Sequence, residues 1–125
     1  MISIDKWGKD HWSLLAYIET CCVDHNGHFN LMRIRVNPST HPLLAVGKLS
    51  PRRWEPSYGT RLNDGTELPQ HDDVDCLDDL SGAGMIFISS LVNAHAVLSP
   101  LGIVVAEKLR KHKIEGGKYG EFKIR

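Results

Sequence analysis

The residues best suited to chemistry are the cysteines and histidines. Cys21, Cys22, His25 and His28 fall within eight residues. Thiolate and imidazole at such separations can converge on zinc. Adjacent Cys21 and Cys22 are poorly placed to share one ion. Cys21, His25 and His28 therefore need a further ligand, which His41, His71 or Cys76 could supply. The competing reading is two core cysteines and two surface histidines on a turn. The densest run of polar ligands is His71-Asp72-Asp73-Val74-Asp75-Cys76. It would suit a small metal-dependent enzyme or, with Cys76 beside a remote histidine, a thiol nucleophile. It equally suits a helix cap followed by a buried cysteine. No phosphate-binding loop, Gly-x-Ser-x-Gly elbow or dinucleotide fingerprint accompanies these residues. The expected cofactor is none, with zinc the one candidate.

Charge supplies a second kind of site. The 125 residues hold fifteen Lys+Arg and fifteen Asp+Glu, for a net charge of zero. A protein whose main task is gripping phosphates is usually basic, so the total does not favour that task. The distribution is uneven. From Leu62 to Leu80 there are seven acids and no Lys or Arg, whereas Leu101 to Arg125 holds seven bases against three acids. Asp72, Asp73, Asp75, Asp78 and Asp79 would make an acidic face for a basic partner. Lys48, Arg52, Arg53 and Arg61, interleaved with Trp54 and Tyr58, could hold a nucleic-acid backbone while stacking a base. Lys108, Arg110, Lys111 and Lys113 could add to that grip. The simpler alternative is that acidic and basic segments neutralise each other within the chain.

The elements that must position these groups follow from periodicity and punctuation. Trp7, His11, Leu14, Leu15, Ile18 and Cys22 recur at helical spacing, with Asp5 as N-cap and an end near Val23 at Asp24-His25-Asn26-Gly27. Asn30 is expected to cap a short helix over Leu31 to Val36, where alternation also permits a strand, and one turn of helix is expected from His41 to Val46. Residues 37–69 form a proline-rich insertion, closed by a hairpin around Asn63-Asp64-Gly65. A third helix opens at His71 or Asp72, buries Val74, Leu77 and Leu80, and stops at Gly82 and Gly84. Two strands, Met85 to Ser89 and His95 to Leu98, lead into Ser99-Pro100, a strong helix start. The last helix is expected to bury Leu101, Val104, Val105 and Leu109 and to stop at Gly116-Gly117. Residues 118–125 read as a frayed basic tail.

This order of elements resembles a winged helix-turn-helix domain. Leu77-Asp78-Asp79-Leu80-Ser81-Gly82-Ala83-Gly84-Met85-Ile86 is similar to the stretch that ends the family's recognition helix and starts its wing. Ala96-Val97-Leu98-Ser99-Pro100-Leu101-Gly102 resembles the wing's return strand and the start of the closing helix. The resemblance covers residues 72–113 and implies an α+β, winged-helix-like fold. It departs from the family at the helix that would read DNA, which offers five Asp and no Lys or Arg.

The expected organisation is a single domain over residues 1–117 with an inserted segment at 37–69. The expected function is a small non-enzymatic interaction module of a regulatory or nucleic-acid-related assembly, with a protein partner on the acidic helix. The alternatives are a small metal-dependent enzyme using the His71–Cys76 region and a direct DNA-binding regulator. Three cysteines without a disulfide framework fit a reducing cytoplasm. No apolar run approaches the roughly 18 residues of a membrane span.

Overall fold

Trp7 and Trp12 mark the centre of the core. The computed structural model describes residues 1–45, 54 and 59–124. The two indoles meet edge to face at 5.0 Å, and both are buried. Around them pack Leu15, Ile18, Leu77, Leu80, Met85, Val105 and Leu109. The architecture is a small α+β fold with two two-stranded antiparallel sheets.

Helix α1 spans Lys9–Asp24 with Gly8 as its N-cap. Asp5 instead lies in a 3-10 turn, Ile4–Lys6, so the expected cap is displaced by three residues. Trp7, between the two, turns inward ahead of the helix. The helix ends at a turn in which Asn26 and Gly27 both take positive φ. Asn30 does cap the next element, accepting from Met32 N at 2.9 Å. That element is only a 3-10 turn, Leu31–Arg33, not a helix to Val36. Beyond it the chain extends, because Arg35 N is drawn to Asp73 and Asn37 N to Asp72. A one-turn helix, α2, covers Pro42–Ala45. Strands β1 (Thr60–Arg61) and β2 (Glu67–Leu68) form the expected hairpin, with Thr60 opposite Leu68.

Helix α3 spans Asp73–Gly82 and is opened by a reciprocal capping box between Asp72 and Asp75. It packs against α1. Strands β3 (Ile86–Ser90) and β4 (His95–Leu98) pair antiparallel, with Phe87 opposite Val97. Ser99 caps helix α4, Pro100–Ile114, by accepting from Gly102 N. No helix among the described residues is long and apolar enough to cross a membrane.

Two expectations about α4 and the tail are corrected. Leu101 and Val104 lie outside the core, and Leu101 is 48% exposed. The inward stripe is Gly102, Val105, Ala106 and Leu109. Gly102 sets this rotation, because a Cβ there would overlap the Met85 carbonyl oxygen. The tail does not fray over its described length. Tyr119–Glu121 forms a 3-10 turn, and Phe122 is buried edge to face against Trp12 at 4.8 Å. An aromatic ring that can fill a core position holds the tail in place.

Candidate functional site

The acidic residues of α3 point mostly inward. Asp72 is fully buried and accepts from Asn37 N at 2.7 Å, from Asp75 N at 2.9 Å and from His41 Nδ1 at 2.7 Å. Asp73 receives the Arg35 guanidinium at 2.7 Å and Arg35 N at 2.9 Å. The same guanidinium reaches Asp10 at 3.0 Å, whose other oxygen accepts from Arg61 N at 2.8 Å. Burial works against the charge of Arg35, but its bonds to Asp73 outweigh that and raise its pKa further. These contacts tie the segment at Arg35 and the hairpin to α1 and α3.

Asp79 is the centre of a second cluster. Its Oδ2 lies 2.8 Å from His11 Nε2 and 3.0 Å from His71 Nε2, and its Oδ1 accepts from Ile2 N at 3.0 Å. Burial alone would raise its pKa. Hydrogen bonds from the two imidazoles and Ile2 N prevail and hold the carboxyl well below the usual carboxylate range. An ionised carboxylate only accepts, so both imidazoles donate from Nε2. His71 Nδ1 lies 2.7 Å from Thr60 Oγ1, and Cys76 Sγ is 3.3 Å from that hydroxyl and 3.7 Å from His71 Nδ1. His11 stacks flat on Trp7, and its Nδ1 is buried with no hydrogen-bond partner.

Cys76, His71 and Asp79 stand in the order of a thiol nucleophile, its base and the base's carboxylate. The environment opposes that use. Cys76 is fully buried, and its desolvation pushes the thiol pKa up, with the nearby carboxylates adding to the rise. Reactive thiols need the opposite setting, exposed and electropositive.

The expected metal set is divided between two places. Cys21, His25 and His28 line one open pocket of about 650 Å³ with Tyr17, Phe29 and Arg33. His71 and Cys76 belong to the Asp79 cluster. Among the described residues, the groups with donor atoms in mutual reach are His11, His71 and Cys76, and His41, Asp72 and Asp75. His11 and Asp79 had no local spacing to reveal them as partners, being 68 residues apart.

The acidic face is corrected in the same way. Asp72, Asp73 and Asp79 are buried and satisfied within the chain, so they offer no charge to an outside surface. Asp75 is half-buried in the capping box, and Asp78 is exposed. Burial and the neighbouring Asp75 charge raise the pKa of Asp78. Of the basic candidates, Lys48, Arg52, Arg53 and Tyr58 lie outside the described residues. Trp54 is half-buried, and Arg61 pairs with Glu67 across the hairpin. Arg110 bonds Glu19 at 3.1 Å, and Lys113 lies over the Tyr119 ring at 4.4 Å. Lys108 and Lys111 are exposed on α4.

A further surface carries no signal in the local sequence. Phe87 is 65% exposed on the outward side of the β3–β4 hairpin, facing Val97. Val97 in turn lines a groove of about 570 Å³ with Val23, Ala96, Leu98 and Ile103, bounded by Glu19 and Arg110. Val23, Val97 and Ile103 are all exposed. No family model, curated protein or solved structure matches the chain.

Proposed function

We propose that the protein is a small non-enzymatic interaction module of a regulatory assembly, winged-helix-like in arrangement, that docks a partner protein at its β3–β4 hairpin and α4. The observation that carries this reading is the groove of exposed Val23, Val97 and Ile103, continued on the hairpin by Phe87. Apolar area left in water forgoes about 25 cal/mol per Å². Apolar side chains gathered in a groove with a charged rim are the usual mark of an interaction surface. Lys111 lies exposed on α4 beyond Ile103, which favours a partner segment that is apolar with an acidic flank. The three cysteines are free thiols, in keeping with a cytoplasmic setting.

Photo-cross-linking tests the reading. A cross-linkable residue is placed at position 103 in one variant and at position 78 in another, and each is exposed to native extract. The expected result is a discrete partner captured from position 103 and not from 78, with capture lost in Val97→Lys. Capture from position 78 alone would return docking to the acidic helix. Capture of a second copy alone would make the face a dimer interface. No capture at all would remove the reading.

A further inference from the structure

We propose that the open cavity at the end of α1 binds the phosphate of a small phosphomonoester that carries an aromatic body. The cavity holds about 650 Å³, within the range of small-ligand sites. Arg33, His25, His28 and Asn30 supply its polar groups, and Tyr17 and Phe29 supply ring surface. His25 and His28 stand in no cluster of metal donors among the described residues. Arg33 is the telling member. Among the described residues, Arg35, Arg61 and Arg110 each hold a carboxylate, and Arg33 holds none. Burial pushes the Tyr17 hydroxyl pKa up and the Arg33 charge opposes that rise, so the guanidinium lies near this ring.

The balance of donors selects the ligand. Among the described residues, no Asp or Glu lines the cavity. Asn30 Oδ1 accepts from Met32 N at 2.9 Å, which leaves both hydrogens of its Nδ2 free to donate. Each exposed imidazole offers an N–H in either protonation state. Guanidinium, imidazole and amide are all donors, and they come from four side chains. A carboxylate has two oxygens to meet them, whereas a phosphomonoester has three terminal ones, and the planar guanidinium fork matches phosphate. The rings of Tyr17 and Phe29 can meet an aromatic body offset or edge-on. A smaller adjoining cavity shares Tyr17 and Arg33 but is lined by Asp10 and Asp73, so the anion belongs in the larger one.

The backbone holds these groups in place before any ligand arrives. His25 N and Gly27 N both bond Cys21 O at 2.9 Å, and His28 N bonds His25 O at 3.0 Å. Gly27 has a φ of +87°, and a Cβ there would overlap the Ala96 carbonyl oxygen, so the turn that carries both histidines is fixed against β4. The Tyr17 hydroxyl oxygen accepts from Asn30 N at 2.8 Å, which ties α1 to the 3-10 turn bearing Arg33. The carbonyl end of α1 is the one field that opposes an anion. Its Cys21 carbonyl is already covered by the amides of His25 and Gly27. Asp24, beside His25, is exposed and does not line the cavity.

The test titrates the isotope-labelled full-length chain with phenyl phosphate, inorganic phosphate and phenol, read by amide NMR shifts. Phenyl phosphate should saturate one site per chain with a Kd below about 1 mM. It should move the amides of residues 25–33 and leave those of Val97 and Ile103 in place, so the outcome is independent of partner docking at the groove. Inorganic phosphate should move the same amides with roughly fivefold weaker affinity, and phenol should not saturate. Arg33→Gln should weaken phenyl phosphate by about tenfold or more, with Arg33→Lys recovering only part. His25→Gln should weaken it less, and Lys111→Gln should leave it unchanged. Arg33, His25 and Lys111 are exposed, so all these variants should stay folded by circular dichroism. No saturable shift with phenyl phosphate would overturn the proposal, as would saturation that Arg33→Gln leaves untouched. Equal affinity for inorganic phosphate would mean an adventitious ion only, and would overturn it too.

Discussion

His11 Nε2 lies 2.8 Å from Asp79 Oδ2, joining α1 to α3 through a fully buried imidazole and a nearly buried carboxylate. The same oxygen holds His71, so one carboxylate organises two rings and the backbone of Ile2. Removing it leaves two imidazoles and an amide without an acceptor.

Asp79→Ala should therefore destabilise the fold by about 3–5 kcal/mol in urea unfolding at pH 7, the usual cost of breaking a buried pair. The folded pKa of Asp79 is depressed, so its contribution is present above the unfolded carboxylate value of about 3.9 and is lost as pH falls through the folded value. Asp79→Asn should flatten the loss of stability below about pH 4. A loss under about 1 kcal/mol at neutral pH in Asp79→Ala would mean that the cluster is not structural.

Arg35 is the corresponding centre for Asp73 and Asp10, at 2.7 and 3.0 Å. Arg35→Ala should cost about 3 kcal/mol or more, because both carboxylates are mostly buried and would lose their cation. Arg35→Lys should recover only part of this, since an ammonium cannot reproduce the fork that meets Asp73. Full recovery by lysine, measured by thermal unfolding, would reduce the contact to simple charge balance.

The inward face of α3 and the rotation of α4 can be tested by three substitutions. Leu80→Ala, at a fully buried position, should cost about 2–5 kcal/mol. Leu101→Ala, half exposed, should cost under about 1 kcal/mol. Gly102→Ala improves helix propensity but places a Cβ on the Met85 carbonyl, so it should lower Tm. A stabilised Gly102→Ala would show that α4 does not approach β3 this closely.

Duplex DNA should bind weakly, at roughly micromolar Kd or above at physiological salt. The solvent side of α3 offers the carboxylates of Asp75 and Asp78 and no cation, so it opposes a phosphate backbone. Fluorescence anisotropy with random and mixed-sequence duplexes measures this. Nanomolar, sequence-specific binding would require residues elsewhere, such as the Arg52–Arg61 stretch, to do the reading.

Local rules made several elements legible. The start of α3 at Asp72, the Ser99-Pro100 start and the hairpin around Asp64-Gly65 each rest on contacts spanning a few residues, and each stands where the sequence puts it. His71 and Cys76 were visible as members of one run of polar ligands, although the histidine expected beside Cys76 was a remote one. His11 was not, because a histidine on an apolar stripe carries no mark of its partner. Phe122 was hidden among basic residues in a tail, where composition speaks for the charges and not for one ring.

The sequence by itself determined where α3 and α4 start, that Asp64-Gly65 reverses the chain and that five Asp gather at α3 and its cap. Only the tertiary structure decided that Asp72, Asp73 and Asp79 face inward while Asp78 faces water. The physical reason is the cost of burying charge. A carboxylate can enter the core only where another segment brings a donor, and those donors come from Asn37, Arg35 and His11, 35, 38 and 68 residues away. The same holds for α4. Periodicity defines its stripes, but the close approach of Gly102 to Met85 selects which one turns inward.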